Sequence, residues 1–311
     1  MGMMAIEVNG LIKDYGDFRA VDHVSFAVEK GELYALMGPN GSGKSTVAAI
    51  LATVNRPTDG SAGVMGFDVV SEAEQVRKVI NYVPDLRFSS VNLTGEENLI
   101  LYARLIGLSK SRAKEVSRSL LRKVGLSEAA KNLVSTYSSG MRRRLEIASG
   151  LIGEAPVLIL DEPTTALDPS VRRTIMGWLL EELEKDRAIL FITHIGKDAE
   201  AASRVAFMMK GKIMAEGTPG ELKSKYVEES IINVKTTAKM RTVAETLKDF
   251  SADNKVLETE EGYRLYSNRP EKSIPLIVEA ANKTGCRVLE IDSVKPTLED
   301  AFFKMTGAPL G

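Results

Sequence analysis

A glycine-rich run with one lysine and two hydroxyl residues at its end lies between two apolar segments. It consists of Gly38, Pro39, Asn40, Gly41, Ser42, Gly43, Lys44, Ser45 and Thr46. The apolar residues before it predict a strand and those after it a helix, so backbone N–H groups and a helix N-terminus can surround one phosphate. Lys44 can reach the β- and γ-phosphates of a nucleoside triphosphate, and the Ser45 hydroxyl can bind Mg²⁺. We therefore predict a phosphate-binding loop, called the phosphate loop below.

Length and composition describe an ordinary globular chain. Its 311 residues favour two domains, and a net charge of −1 gives no basic surface for nucleic acid. The single cysteine, Cys286, excludes an internal disulfide and fits a reducing compartment. No apolar run approaches the roughly eighteen residues that span a bilayer, and the first residues lack the basic start of a signal peptide. We expect a cytosolic chain that reaches a membrane only through a partner.

Hydrophobic periodicity divides the chain into blocks. Short alternating strands over residues 5–36 predict an antiparallel β layer, and residues 86–155 read as a helical insertion. Strands and helices then alternate from residue 157 to 210, which is typical of a parallel sheet. The last helix of that block is predicted over Lys197–Arg204, and turns at Gly211–Lys212 and Glu216–Pro219 close it.

The remaining residues predict a separate small module. From Ile231 the order is strand, helix, hairpin, helix, strand and helix, which resembles a ferredoxin-like fold. We therefore predict an α/β fold with a mixed-sheet core, an antiparallel β subdomain and a helical insertion, followed by a small α+β domain. The predicted boundaries are 1–224 and 225–311.

Two carboxylates follow a buried strand beyond the helical insertion. Val157–Leu160 is apolar and ends at Asp161 and Glu162, called the acidic pair below. Ligands bind at the carboxyl ends of strands in such sheets, so Asp161 suits Mg²⁺ and Glu162 suits a general base that positions an attacking water.

A second anion-binding helix start lies inside the insertion. Tyr137, Ser138, Ser139, Gly140 and Met141 precede a helix, and taken alone they favour an ordinary serine cap. The basic run Arg142–Arg144 that follows is interpreted as a solvated helix face, with a role in a dimer left open.

In order and spacing, these segments together resemble those of an ATP-binding cassette (ABC) ATPase, over residues 5 to about 220. The phosphate loop matches the Walker A motif of P-loop NTPases, the acidic pair matches the Walker B motif, and Tyr137–Met141 matches the family signature, usually LSGGQ. Three single residues also match: Asp168 in the D-loop, the switch histidine His194 and Tyr15 as the aromatic that stacks on adenine.

The resemblance implies ATP and Mg²⁺ as cofactors and a head-to-tail homodimer. In the family, ATP on one subunit's Walker A loop is covered by the signature of the other subunit, here Ser138 and Gly140. Glu162 and His194 would be the catalytic residues, with His194 contacting the γ-phosphate. Ser45 and Asp161 would hold the metal, and Asp85 is a further candidate ligand.

Two positions depart from the family pattern. Asp85 follows Pro84 where a glutamine is usual, and Ser139 stands where a second glycine is usual. We hypothesise that turnover is slow or depends on a partner. Met141 and the stretch Lys295–Gly307 resemble the drug and ion exporter branch, in which a small C-terminal domain follows the cassette.

The resemblance thus implies the ATPase subunit of a membrane transporter, an exporter, lying at the inner face of the cell membrane beneath a separately encoded permease. Residues 86–155 would receive a cytoplasmic helix of that permease. One alternative is a soluble cassette ATPase acting on nucleic acid or ribosomes, but the chain has no second cassette, coiled-coil arm or basic surface. The other is a nucleotide-dependent regulatory subunit with little hydrolysis, which the missing glutamine favours and Glu162 and His194 oppose.

Overall fold

The computed structural model describes residues 3–165, 167–227 and 229–310, which divide into two compact units. The first unit runs through Pro219, and the second covers Gly220–Pro309. The strands of the first unit are β1 Met4–Tyr15, β2 Phe18–Glu29, β3 Leu33–Met37, β4 Asp59–Val64, β5 Phe67–Asp68, β6 Ile80–Val83, β7 Val157–Asp161, β8 Ala188–Thr193, β9 Arg204–Met209 and β10 Lys212–Gly217.

Helices cover the sheets and form the insertion. They are α1 Lys44–Leu51, α2 Ala73–Val79, α3 Gly95–Leu105, α4 Lys110–Lys123, α5 Ser139–Gly150, α6 Pro169–Leu183 and α7 Gly196–Ala199, with a 3₁₀ turn at Val134–Thr136. The next helix, α8 Pro219–Tyr226, begins at the last residue of this stretch and otherwise belongs to the second unit. The insertion helices begin at polar caps: Thr94 forms a capping box with Glu97 ahead of α3, and Ser109 caps α4.

Two sheets share one apolar core in the first unit. The antiparallel sheet has the order β2-β1-β4-β5, and the larger sheet has the order β10-β9-β3-β8-β7-β6. Strands β9, β3, β8, β7 and β6 are parallel to one another, whereas β10 is antiparallel. All residues of β3, β7 and β8 are buried, as expected of strands covered on both faces. Residues of both sheets and of α1 pack in the same cluster.

Two local predictions at the end of this unit are wrong. The helix predicted over Lys197–Arg204 is only α7, because Arg204 already lies in β9, where its guanidinium pairs with Glu32 and Glu216. The residues predicted as turns at 212 and 216–217 belong to β10, an edge strand whose side chains alternate between exposed and half-buried. Tertiary pairing with β9 therefore overrides the turn propensity of its glycine.

The second unit contains the predicted strand and helix order. Its elements are β11 Ser230–Thr236, α9 Arg241–Lys248, β12 Val256–Glu258, β13 Gly262–Ser267, α10 Pro270–Lys283, β14 Val288–Val294 and α11 Leu298–Thr306. The sheet order β12-β13-β11-β14 with antiparallel neighbours is that of a split β-α-β arrangement. Cys286 is buried in its core beside Ile232, Val243 and Ile277.

Candidate functional site

Three parallel strands deliver the predicted chemistry to one edge of the larger sheet. Met37 at the end of β3 lies opposite Thr193, and Asp161 at the end of β7 lies opposite Ile192. Beyond the strands, the N–H of Gly38 donates to the Thr193 carbonyl at 3.3 Å and that of Glu162 to the Ile192 carbonyl at 3.0 Å. The phosphate loop, the acidic pair and His194 therefore start from adjacent strand ends, as a ligand site in this kind of sheet requires.

Close backbone contacts explain the glycines of the phosphate loop. Gly43 has φ of 104°, and a Cβ at this position would lie 2.3 Å from the carbonyl oxygen of Ala20. A Cβ on Gly38 would lie 2.0 Å from the carbonyl oxygen of Met208. Any larger residue at Gly43 or Gly38 would push the loop away from β2 or β9, respectively. Glycine is therefore required at these positions by close packing, and at Gly43 also by its backbone conformation.

Lys44 is held inside the loop that it follows. Its ammonium donates to the carbonyls of Gly38 at 2.7 Å and Pro39 at 3.0 Å, and its side chain is buried. Burial lowers the pKa of Lys44, while the carboxylates of Glu162 and Asp161 oppose that shift. The lysine is thus a desolvated cation that donates its hydrogen bonds to neutral carbonyls and lies 3.8 Å from Glu162 Oε1, and it can bind an anionic phosphate.

The acidic pair has two different environments. Asp161 accepts a hydrogen bond from the Ser45 hydroxyl at 3.1 Å, and burial raises its pKa to about 6. Glu162 Oε2 accepts from the Thr165 hydroxyl at 2.9 Å and lies 2.8 Å from His194 Nδ1. Glu162 Oε1 is buried and has no hydrogen-bond donor among the described residues, since Lys44 Nζ lies 3.8 Å away. An orphaned carboxylate oxygen of this kind needs a donor from a ligand or water.

These groups line a cavity of about 260 Å³ beside the antiparallel sheet. Its lining comprises Tyr15, Phe18, Ala20, Asn40, Gly41, Ser42, Gly43, Lys44, Ser45, Thr46, Asp85 and Glu162. Tyr15 is 46% exposed and its hydroxyl accepts from Asn55 Nδ2 at 3.0 Å. The predicted aromatic therefore stands at the cavity, and so does Asp85, the residue in place of the usual glutamine.

The signature segment lies apart from this cavity. Ser138 caps α5 by accepting from the Met141 N–H at 3.2 Å, and Ser138 and Ser139 are exposed. The Ser139 hydroxyl accepts from the Arg87 guanidinium, so the unusual serine has a local partner. Asp168 of the predicted D-loop stands at the N-cap position of α6, without a hydrogen bond from its side chain to the helix, and is exposed. None of the described cavity residues comes from Tyr137–Met141.

The interpretation of Arg142–Arg144 as a solvated face is wrong for Arg143 and incomplete for its neighbours. Arg143 is 8% exposed and donates to main-chain carbonyls of the acidic pair. Arg142 is half-buried and donates to Ser89, while Arg144 donates to the Val124 carbonyl. Three consecutive residues of a helix project their side chains in three different directions. The sequence of the run alone does not show which of the three arginines faces the protein interior.

Sequence reasoning missed three residues of the site. Phe18 is 62% exposed at the cavity, Thr165 hydrogen-bonds Glu162, and Arg143 contacts the loop of the acidic pair. Thr165 could have been found as a hydroxyl three residues after Glu162. Phe18 lies across the β1–β2 turn from Tyr15, with which it pairs, and only that pairing brings it to the site.

The oxygen donors of the site fit Mg²⁺. Mg²⁺ is usually bound through one or two carboxylates together with substrate phosphates and water. Ser45 and Asp161 supply a hydroxyl and a carboxylate side by side, and the orphaned Glu162 Oε1 is near. Within residues 3–165, 167–227 and 229–310, no cluster of three or more His, Cys, Asp or Glu would hold a metal by itself.

In the same ranges no helix has the length and apolarity to cross a membrane.

Comparison with known proteins gives consistent matches. Residues 21–165 match the family model described as ABC transporter. The chain is 38% identical to the doxorubicin resistance ATP-binding protein DrrA of Mycobacterium tuberculosis, over 98% of this chain and 95% of the relative. It is 33% identical to the Nod factor export ATP-binding protein I of Rhizobium sp. (strain N33), over 99% of this chain and 98% of the relative.

Solved structures agree with this relationship. An ATP-binding subunit of an ABC transporter is 29% identical, with a TM-score of 0.66, over 71% of this chain and 93% of that chain. A bacterial ABC transporter cassette solved as a dimer is 25% identical, with a TM-score of 0.65, over 68% and 98%. The predicted family and fold class are therefore confirmed: the chain belongs to the ABC transporter family, in which it is an ATP-binding ATPase subunit.

Proposed function

We propose that this ABC ATPase powers export through a separately encoded membrane permease, by closing on ATP as a head-to-tail dimer and reopening after hydrolysis. The observation that carries the proposal is the environment of Glu162. Its carboxylate lies between Lys44 and His194 at the edge of an open cavity, with Oε1 buried and unpartnered among the described residues. A water hydrogen-bonded to that oxygen would lie where the phosphate loop presents a γ-phosphate.

Each residue of the site has a role in phosphoryl transfer, which depends mostly on positioning and charge neutralisation. The backbone N–H groups of the phosphate loop and the Lys44 ammonium bind the phosphates. Glu162 orients the attacking water and accepts its proton, and His194 holds Glu162 and contacts the γ-phosphate. Tyr15 stacks on the adenine at the outer end of the cavity.

Ser45 and Asp161 are the residues that would hold Mg²⁺, and Asp85 is a further candidate at the cavity wall. When bound with ATP, the cation neutralises charge on the β- and γ-phosphates. Burial raises the pKa of Asp161 to about 6, and a neighbouring cation would favour its ionised form again. The buried carboxylate is thus better satisfied with a cation than without one.

The position of the signature segment supports a homodimer. Ser138, Ser139 and Gly140 lie at the exposed N-terminus of α5 and outside the cavity of their own chain. A helix N-terminus with open N–H groups binds anions, so this end suits a phosphate presented by a second copy. The solved cassette dimer of a 25% identical relative supports this arrangement.

An apolar groove on the helical insertion suits the permease. It has a volume of about 310 Å³ and lies between the end of β6 and α3, where Phe88 packs edge-to-face on Tyr102. Leu105 is 72% exposed and Ile106 is 53% exposed at its rim. An amphipathic helix can bury such a surface with anchors at helical spacing. The chain would thereby be held at the inner face of the cell membrane, and the export function of relatives such as the Nod factor export protein supports the direction of transport.

The test compares the wild type with Glu162→Gln in ATP and Mg²⁺. We expect the wild type to hydrolyse ATP, with or without its permease, and the variant to lose roughly 10²–10⁴-fold in kcat, the usual share of a general base. The variant should still bind ATP and elute as a dimer in size-exclusion chromatography. Unchanged hydrolysis in the variant would refute the role of Glu162, and an ATP-loaded variant that stays monomeric at every concentration would refute the dimer cycle.

A further inference from the structure

The buried guanidinium of Arg143 joins two loops at the carboxyl edge of the sheet. Its Nη2 donates to the carbonyls of Asp161 at 2.6 Å and Glu162 at 3.0 Å, and its Nε donates to that of Pro163 at 3.2 Å. Its Nη1 donates to the carbonyl of Pro84 at 2.9 Å, in the loop that leads to Asp85. One side chain of α5 therefore binds four main-chain oxygens around the catalytic carboxylate.

The backbone of Glu162 needs such support. Its φ is 48°, a left-handed conformation that residues other than glycine adopt rarely and keep only when their surroundings impose it. The Glu162 N–H is fixed on the Ile192 carbonyl at 3.0 Å, and Arg143 binds the carbonyls on both sides of the φ and ψ bonds of Glu162. The direction of the Glu162 carboxylate is thus set by peptide planes that Arg143 holds.

The charge of Arg143 is compensated on the same helix. Glu146 Oε2 lies 3.5 Å from Arg143 Nη1, and Glu146 also accepts from the Ser89 hydroxyl at 2.9 Å. Burial lowers the pKa of Arg143, and Glu146 and Asp85 oppose that shift. A planar guanidinium can bind several carbonyls at once, which an ammonium cannot do with the same geometry.

We propose that Arg143 is a positioning residue for Glu162, through which α5 controls the direction of the catalytic carboxylate. This inference rests on the proposed function, because it assigns catalysis to Glu162. Gly140, in the part of α5 proposed to meet the ATP of a second copy, is three residues before Arg143, or about 4.5 Å along the helix. A movement of this helix on dimer closure would be transmitted to Glu162 of the same chain through the four hydrogen bonds of Arg143.

The run Arg142–Arg144 offers a matched control. Arg144 lies on the same helix and donates to the carbonyls of Val124 and Gly125, away from the acidic pair. The full-length variants R143A, R143K and R144A are compared for kcat, for KM of ATP, for binding of a fluorescent ATP analogue and for melting temperature. Glu162→Gln and the wild type are measured in parallel.

We expect R143A to lose roughly 10²-fold in kcat, the loss that a small misplacement of a catalytic group can cause. The KM and the affinity for the analogue should change by less than about threefold, because the phosphate loop is untouched. R143K should recover part of kcat, and R144A should behave like the wild type. Guanidinium ion at millimolar concentration should raise the activity of R143A and leave that of R144A unchanged.

Three results would overturn the inference. One is a kcat of R143A within about threefold of the wild type while Glu162→Gln is inactive. In that case Glu162 would be catalytic as proposed, but Arg143 would not be needed to position it. Another is an equal loss in R143A and R144A without rescue by guanidinium, which would indicate general destabilisation of α5. The third does not depend on turnover: it is a crystal structure of R143A in which Glu162 is still left-handed and still beside His194. A wild type inactive with its permease would instead refute the proposed function.

Discussion

The surroundings of Glu162 and the N-terminus of α5 are the two proposed anion sites of the first unit, and they differ in how far one chain completes them. Around Glu162 the groups are buried or half-buried, and Lys44, Thr165 and His194 already contact its carboxylate. At the start of α5, Ser138 and Ser139 are exposed, and their hydroxyls accept hydrogen bonds from the Met141 N–H and the Arg87 guanidinium. Burial strengthens electrostatic interactions, so an exposed phosphate site is weak until another surface covers it.

Under the proposed function, a single copy of this chain contributes two incomplete parts of a catalytic site. The phosphate loop and acidic pair contain the groups proposed for the chemistry, and they line one cavity of about 260 Å³. The signature end has the exposed helix N-terminus proposed to bind phosphate, but none of its residues lines the cavity of its own chain. A symmetric pair in which each signature end closes the other cavity would complete both sites at once.

The largest expected effect comes from two variants, one that disables the phosphate loop and one that disables the signature end. Lys44→Met should abolish ATP binding, and Gly140→Asp should leave ATP binding intact but repel the phosphate of a second copy, with hydrolysis falling roughly 10²–10⁴-fold. A side chain at Gly140 has room, since a Cβ there would lie at an ordinary 3.6 Å from Leu167. Activity is measured for each variant alone and for an equal mixture.

The mixture decides whether the site is shared. If the two halves come from different copies, half of the mixed dimers combine both variants and hold one intact site, so activity should return to roughly a quarter of wild type. A mixture as inactive as its components would show that one chain completes its own site. The proposed pairing of each signature end with the cavity of a second copy would then be excluded.

The apolar groove beside α3 is a second exposed surface that the proposal assigns to a partner, in this case the permease. Leu105→Asp should weaken binding to the permease by roughly 10–100-fold, because it places a charge in an interface that must be dry. Basal hydrolysis by the isolated chain should not change, since α3 does not reach the acidic pair. The matched control is Leu180→Asp, an exposed leucine on α6. Equal binding of the Leu105 variant and the wild type to permease-containing membranes would contradict the groove as the docking surface.

A smaller effect is expected where the chain departs from the family pattern. Asp85 adds a carboxylate at the cavity and acts by its charge on Asp161, raising its pKa together with burial. Asp85→Gln should remove repulsion toward the γ-phosphate and raise kcat several-fold, in line with the modest energy of charges at a solvated site. Glu74→Gln on α2 is the control. No gain in Asp85→Gln, together with fast hydrolysis by the wild type, would contradict slow turnover.

The smallest expected effect concerns the two aromatic residues at the cavity. Tyr15→Ala should weaken ATP affinity by roughly fivefold, the range of one stacking contact, while Tyr15→Phe should not. Phe18→Ala tests the neighbour that also lines the cavity. Fluorescent ATP-analogue titration of the three variants identifies the stacking ring. A loss confined to Phe18→Ala would move the adenine contact from Tyr15 to Phe18.

The sequence by itself determined the fold class and the chemistry of the Walker residues. Such features are local: the phosphate loop needs glycines in consecutive positions, and the acidic pair needs only a strand that ends at it. The order of apolar strands between helices then indicates the parallel sheet and so places these strand ends at one edge. The second unit was predictable for the same reason, since its strands and helices alternate with clear turn residues between them.

Tertiary structure alone decided which charged and aromatic residues join that edge. Arg143 is buried on the acidic pair while Arg144 points to Val124, although both are arginines on one helix. Phe18 reaches the cavity because β2 pairs with β1, and β10 is a strand because β9 offers it a free edge. Each of these outcomes depends on contacts between residues far apart in the chain. Periodicity gives the spacing of a helix face or strand face but not the neighbour that it meets.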